Sequence, residues 1–181
     1  MKKLLFVCMA AAAFASCKDK ATGTSSGTDS SAASSAKPVD LPYSKTKPVD
    51  WDWGSNENIA VAMNALKAYQ DGKPEECAKY FADTAKLEFD HLDKVFSRDS
   101  LTAFLKAGWA NTKHIDIKMD DYESVISKDK SSEFVSLWYK EIEEDNKGKI
   151  DSMDVMNDFK IKNGKILLIS EKTRHYGDKK M

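Results

Sequence analysis

Three aspartates are the carboxylates that could carry acid–base chemistry in this chain of 181 residues: Asp90, Asp154 and Asp158. Proton abstraction beside a carbonyl needs a carboxylate whose proton affinity is raised by apolar surroundings, and a donor that stabilises the enolate oxygen. Asp154 and Asp158 alternate with apolar residues, so we expect them to point toward solvent or an interface. Asn157 shares the apolar face, where it either donates to a ligand or, in the plainer interpretation, bonds to neighbouring backbone.

A second group of candidates lies around Asp90. It is followed by His91, and a carboxylate beside an imidazole can orient or charge the ring, although the same pair is ordinary in a polar turn. Tyr176 would add a hydroxyl donor. Asp90, His91 and Tyr176 are therefore the candidate catalytic residues.

Several other chemistries lack their signatures in the sequence. The three histidines, at positions 91, 114 and 175, have no paired spacing, and no cysteine pair accompanies them, so we expect no metal. Neither a glycine-rich phosphate loop nor a Gly-x-Ser-x-Gly elbow occurs, and we expect no cofactor. Acidic and basic residues are interspersed, with a formal net charge of −1, so nucleic acid is not an expected partner.

The first residues are typical of a secretion signal. Lys2 and Lys3 precede an apolar run over residues 4–14, and the small residues Ala15 and Ser16 follow it. A membrane-spanning helix would need about 20 apolar residues, which is more than this run supplies. The pattern predicts a signal peptide over residues 1–16.

The four residues from Phe14 to Cys17 resemble the bacterial lipobox, with phenylalanine where leucine is usual. The resemblance implies that Cys17 is lipidated after cleavage, with acyl chains such as palmitate. Several chains on one cysteine would hold the protein on a membrane almost permanently. We therefore expect a lipid-anchored protein of the cell envelope, on the outer membrane, either periplasmic or surface-exposed.

A tether is expected over residues 17–50. Residues 21–36 contain no apolar side chain larger than alanine and cannot offset the entropy of ordering, and the prolines that follow favour an extended chain. Residues 51–181 are enough for one domain. Trp51 and Trp53 at its start either form a ligand platform or, as we favour, fasten the arm to its own domain. Cys77 is expected to be an inert, packed thiol.

The spacing of apolar residues predicts helices first and strands afterwards. Ser55 or Asn56 begins a helix that Gly72 ends, Pro74 begins a shorter one through about Phe81, and a third follows Ser97 or Asp99. Strands are predicted at "AKLEFD" and "KVF" between the second and third helices. After residue 113 the period changes to two, with a bulge at Asp120-Asp121 and a hairpin turn at Asn163-Gly164.

One later strand has a special pattern. The stretch 134–142 is apolar on both faces, with Phe134, Trp138 and Ile142 on one and Val135, Leu137 and Tyr139 on the other, which predicts a central strand covered on both sides. Segregated elements of this kind indicate an α+β fold, with three N-terminal helices packed on a curved, mostly antiparallel sheet.

The order of these elements, with "YFADTAKLEFD" before the third helix, Trp109 near its end and "FKIKNGKILLIS" at the close, resembles the nuclear transport factor 2-like superfamily over about residues 55–177. SnoaL-like polyketide cyclases and ketosteroid isomerases share that cone-shaped fold. The resemblance implies a pocket between helices and sheet, a homodimer through the outer face of the sheet, and Asp90 and His91 at the mouth of the cone. The candidate ligand-binding residues are Trp109, Trp138, Asn157 and His175.

Two functions from different classes fit these observations. We expect a non-catalytic envelope domain that binds a small apolar ligand or a protein partner. The alternative is an acid–base isomerase, cyclase or dehydratase of the SnoaL or ketosteroid isomerase type. A third possibility is an accessory subunit whose pocket is filled by its own side chains.

Overall fold

The computed structural model describes residues 40–46 and 49–176. The chain divides into two units between Ser44 and Lys45, and the described residues of the first, 40–44, are exposed and contain no helix or strand. The predicted signal peptide, Cys17 and most of the tether lie outside the described residues. None of the described helices is long and apolar enough to span a membrane.

Three helices form in the second unit: α1 (Asn56–Gln70), α2 (Pro74–Ala78) and α3 (Arg98–Trp109). The Ser55 side chain accepts a hydrogen bond from the Asn58 amide at 3.1 Å, and Ser97 caps α3 in the same way through Ser100. Each serine satisfies a backbone donor that the first turn of a helix leaves unpaired. Both predicted helix starts are confirmed, and Gly72, at φ 67°, follows the end of α1.

The second helix is shorter than the sequence predicts. It ends at Ala78, and a strand begins at Phe81, where the prediction still placed helix. The Phe81 side chain is fully buried, and the carbonyl of Tyr80 accepts a hydrogen bond from the Ile166 amide at 2.9 Å. Burial of this phenylalanine and pairing with a distant strand outweigh the local preference for helix.

Seven strands form one sheet, in the order β1-β4-β5-β6-β7-β2-β3, and all neighbours are antiparallel except β2 and β7. The α+β class is therefore confirmed, with three helices and a mostly antiparallel sheet. The strands, in chain order, are β1 (Trp51–Trp53), β2 (Phe81–Phe89), β3 (Leu92–Ser97), β4 (Thr112–Ser127), β5 (Glu133–Asp145), β6 (Ile150–Lys162) and β7 (Lys165–His175).

Two local features of the sheet were predicted and are confirmed. Asn163 and Gly164 connect β6 to β7 with φ of 52° and 68°, the left-handed region that a tight hairpin requires. The register of β4 against β5 shifts between Met119 and Asp121, which is a bulge. The bulge lets the apolar alternation of β4 continue on the same face past the two aspartates.

The arm at the start of the domain adds an edge strand. β1 pairs with β4, and the Trp51 ring packs edge-on against Phe134 with centroids 5.8 Å apart. This agrees with an arm fastened to its own domain. Trp53 nevertheless stays 81% exposed.

The sheet has an inner face, which carries Val135, Leu137 and Tyr139 of β5, and an outer face, which carries Phe134 and Trp138. The three inner residues are buried with Ala62 and Leu101 of the helices in one core. The outer residues are only partly buried, so the prediction that β5 is covered on both sides holds for the inner face alone.

Candidate functional site

A cavity of about 250 Å³ lies between α1 and α3 on one side and the inner face of the sheet on the other. Its walls are mostly apolar, because the helices present leucines and phenylalanines on the faces that the 3.6-residue period turns toward the sheet. The aromatic and leucine side chains that form these walls are Leu66, Phe81, Leu87, Phe89, Leu101, Phe104, Leu105 and Phe159.

Asn157 places a buried amide in the cavity. It lies on β6 between the inner-face residues Val155 and Phe159, is 4% exposed, and donates from Nδ2 to the Tyr139 hydroxyl at 2.7 Å. Its Oδ1 atom is buried without a hydrogen-bond partner. An unsatisfied buried acceptor costs about 1–3 kcal/mol, and this oxygen is free to accept a hydrogen bond.

Two glutamates add carboxylates to the same cavity. Glu141 follows Tyr139 on the inner face of β5, and Glu171 lies directly opposite Asn157 on β7. Burial, together with repulsion from Glu171 and Glu143, raises the pKa of Glu141 to about 7. Burial also raises the pKa of Glu171, an effect that the nearby Asn157 amide partly opposes. Both carboxyls are therefore held where the charged form is disfavoured.

The hydroxyl and thiol groups of the cavity are kept protonated. Burial first, and the negative field of Glu141 second, raise the pKa of Tyr69 and of Tyr139 above the usual range. Burial alone raises the pKa of Cys77 to about 12, so this thiol is not a nucleophile at neutral pH. The cavity thus offers neutral hydroxyl donors beside two carboxyls of raised pKa.

No model of a known protein family matches the sequence, and no curated protein matches it. Solved structures do match. A nuclear transport factor 2-like protein from Anabaena variabilis is 16% identical, with a TM-score of 0.56 over 68% of this chain and 95% of that one. This is the nuclear transport factor 2-like fold.

Two further structures show the same similarity to this nuclear transport factor 2-like domain. One, a protein of unknown function from Burkholderia pseudomallei, is 10% identical with a TM-score of 0.55 over 66% of this chain and 92% of that one. The other, described as a SnoaL-like polyketide cyclase, comes from Shewanella denitrificans; it is 12% identical with a TM-score of 0.54 over 66% and 92%. Identities this low establish the fold alone.

The predicted site residues fall into separate places. His91 and Asn157 line the cavity, and Asp90 stands beside His91 in the turn between β2 and β3. Trp109, at the end of α3, does not line the cavity but packs edge-on against Tyr69, with ring centroids 6.2 Å apart. It therefore supports one wall.

The other predicted residues lie away from the cavity. Trp138 is on the outer face, and the Tyr176 hydroxyl donates to Asp154 Oδ2 at 2.5 Å, also on that side. His175 is exposed at the end of β7, with its Nδ1 atom 3.2 Å from Asp151 Oδ2. These residues do not line the cavity with Asn157. Among the described residues, the Tyr176 hydroxyl forms no hydrogen bond with Asp90 or His91.

Among residues 40–46 and 49–176, no group of three or more histidine, cysteine, aspartate or glutamate side chains is arranged to hold a metal ion. The polar groups of the cavity are carboxyls, hydroxyls, one amide, the Cys77 thiol and the His91 ring. They suit hydrogen bonding and proton transfer.

Sequence reasoning missed four polar residues of the cavity: Tyr69, Tyr139, Glu141 and Glu171. A signal for Glu141 was present, because it continues the inward alternation that begins at Val135, Leu137 and Tyr139. The candidate carboxylates Asp154 and Asp158 lie on the outer face of the sheet, as their alternation with apolar residues predicts.

Replacement of Glu141 by glutamine should change how stability depends on pH. The folded state keeps the Glu141 proton up to about pH 7, whereas the unfolded chain releases it near 4.5. Stability from this group is therefore full below pH 4.5 and is lost as pH rises toward 7. Relative to wild type, Glu141→Gln should gain on the order of 3 kcal/mol between these pH values, measured by urea unfolding.

Glu144→Gln is the matched control on the same strand, because the Glu144 carboxylate pairs at the surface with Lys113. It removes one carboxyl from the same strand without changing the lining of the cavity. A Glu141→Gln curve parallel to that of wild type would show that Glu141 titrates normally.

Proposed function

We propose that this chain is a lipid-anchored envelope domain that binds a small, mostly apolar molecule in the cavity between α1, α3 and the sheet. The observation that carries the proposal is the cavity itself: about 250 Å³, apolar walls and one buried, unpartnered acceptor at Asn157. Binding sites for small molecules combine these features, with a few polar groups fixing orientation inside an apolar cleft.

The energetics of the cavity support binding. Protein interiors are close-packed, and a void of this size forgoes contacts that larger side chains would have made. Asn157 and the two carboxyls add desolvation costs that a filled apolar core would avoid. A bound ligand would offset these costs by restoring contacts and hydrogen bonds. They argue against the accessory-subunit alternative, in which the chain's own side chains fill the space.

Blocking the cavity should abolish binding of neutral apolar probes to the full chain. Leu105 lines the cavity from α3, so Leu105→Trp should fill part of it. We expect benzyl alcohol, cyclohexylmethanol or 2-naphthylmethanol to bind wild type in ligand-observed NMR. The dissociation constant from the titration should be at least tenfold higher for the variant.

Leu168→Trp is the matched control, because Leu168 pairs with Lys160 on the outer face and is absent from the cavity wall. It should leave binding of the alcohols unchanged. Equal binding by both variants, or no binding of any of the three alcohols to wild type, would contradict the proposal.

One observation favours a second candidate, an acid–base enzyme. The Glu141 carboxyl has a pKa of about 7 and lies near the Tyr139 and Tyr69 hydroxyls, whose pKa values its charge raises. A base poised near neutral pH beside a neutral hydroxyl donor suits proton abstraction next to a carbonyl. In this candidate, Glu141 takes the proton and Tyr139 donates to the enolate oxygen.

Exchange of the α-protons of 2-tetralone for deuterium in deuterated water tests the enzyme candidate without knowledge of the substrate. The exchange rate, followed by proton NMR, should exceed that of buffer and rise as pH passes through about 7, where Glu141 becomes charged. Glu141→Gln should lose the excess rate and Glu144→Gln should keep it. A wild-type rate equal to that of Glu141→Gln at every pH would reject catalysis of this kind.

The envelope location rests on the sequence. The apolar run at residues 4–14 and the small residues before Cys17 support export and lipidation, and the serine-rich stretch 21–36 supports a tether between anchor and domain. A homodimer through the outer face is part of the same proposal, supported by the partly exposed apolar residues Phe134, Trp138 and Met156 on that face.

Replacement of Cys17 by serine should release the protein from the membrane, because no acyl chain could then be attached. In the native host, the wild-type chain should incorporate labelled palmitate and sediment with membranes, and Cys17→Ser should do neither. Cys77→Ser, which removes a buried thiol, is the control and should keep the label. Membrane-bound Cys17→Ser that carries palmitate would refute the anchor.

A further inference from the structure

When Glu141 and Glu171 are ionised, the cavity is rich in hydrogen-bond acceptors. These acceptors are the carboxylate oxygens and Asn157 Oδ1, which is buried with no hydrogen-bond partner. The donors of the lining are the Tyr69 and Tyr139 hydroxyls, the His91 ring and the weak donor of Cys77, and the Nδ2 atom of Asn157 is already bonded to the Tyr139 hydroxyl. A ligand that satisfies this set must bring hydrogen-bond donors.

The carboxylates also lack a positive partner within the described part of the chain. No lysine or arginine of residues 40–46 or 49–176 forms an ion pair with Glu141 or Glu171. His91, whose charge would favour ionised Glu171, is itself exposed at the rim, where water screens it. Partly buried carboxyls without a positive partner disfavour their own ionised form, so a cation placed between Glu141 and Glu171 would stabilise the charged form of both.

The walls suit a cation as well as an apolar body. Phe81, Phe89, Phe104 and Phe159 surround the cavity together with the two tyrosines. The face of an aromatic ring attracts a positive charge, and it contacts a hydrocarbon body equally well. A purely anionic ligand would meet repulsion from both carboxylates and find no fixed positive charge among the described lining residues.

We propose that the cavity binds an organic ammonium: a protonated primary amine on an apolar body, with its three N–H groups bonded to Glu141, Glu171 and Asn157 Oδ1. This inference rests on the proposed function and names the ligand class of the same cavity. The ammonium supplies a positive partner for the two carboxylates and a hydrogen-bond donor for the amide oxygen.

The affinity for an ammonium should depend on pH, because Glu141 must be charged to bind it. The pKa of Glu141 is about 7 without a ligand, so affinity should rise as pH passes through that value. The neighbours opposite Glu141 on β4 and β6, Ile117 and Met153, carry no charge. The titratable groups of its own strand β5 that lie nearby are Tyr139 and Glu143. Those that line the cavity from other elements are Tyr69 of α1, Cys77 of α2, His91 of the β2–β3 turn and Glu171 of β7.

Isosteric probes separate charge from shape. Benzylamine, benzyl alcohol and benzoate share one ring and differ in charge, and the cyclohexylmethyl and 2-naphthylmethyl series repeat the comparison at other sizes. At pH 8 the amine of the best-fitting series should bind the full chain at least tenfold more tightly than its alcohol, and the carboxylate should bind more weakly than either. At pH 5.5 the preference for the amine should fall to about threefold or less.

The variant Glu141→Gln/Glu171→Gln supplies the decisive comparison. It should still bind the alcohol, which shows that it is folded, and should lose the preference for the amine. Amines that bind wild type no better than alcohols would overturn the ammonium assignment and leave the proposed function intact. A preference that survives in the double variant would overturn the role of the two glutamates. Failure of every probe to bind would overturn the proposed function and this inference with it.

Discussion

Side chains alternate between the two faces of a strand, and the register of β5, β6 and β7 decides which of them meet. Leu137 pairs with Asn157 and Asn157 pairs with Glu171, so an apolar residue, an amide and a carboxyl form one row across the inner face. Tyr139 and Glu141 follow along β5. A shift of one residue in either pairing would send these polar groups to the outer face. The cavity therefore depends on strand register more than on any single contact.

The sheet tolerates this polar row because its surroundings are strongly apolar. Val135, Leu137, Phe159 and Ile166 are almost completely buried around it, and each contributes about 1.5–3 kcal/mol by leaving water. The same apolar surroundings raise the pKa of Glu141 and deprive Asn157 Oδ1 of water. The packing that stabilises the domain is therefore also what disfavours the charged form of its cavity carboxyls.

Local features of the fold could be predicted from the sequence, whereas contacts between residues distant in the sequence could not. Ser55, Ser97 and the Asn163-Gly164 turn follow from capping and turn geometry within a few residues. The predicted end of α2 is wrong because Phe81 pairs in the sheet with Ile166, which lies 85 positions away in the sequence. The cavity carboxyls were missed for the same reason: alternation gives the face of Glu141, but only the register shows that Glu171 stands near it. Trp138 and Tyr176 were candidates for ligand binding and catalysis, yet both lie on the outer side of the sheet.

Glu141 and Glu171 line one mostly apolar cavity, and a carbon-13 NMR titration of their side-chain carboxyls tests this arrangement most directly. We expect a midpoint near 7 for Glu141 in wild type, and a lower midpoint in Glu171→Gln, where one like charge is removed. A Glu141 midpoint near 4.5 that does not change in Glu171→Gln would contradict it.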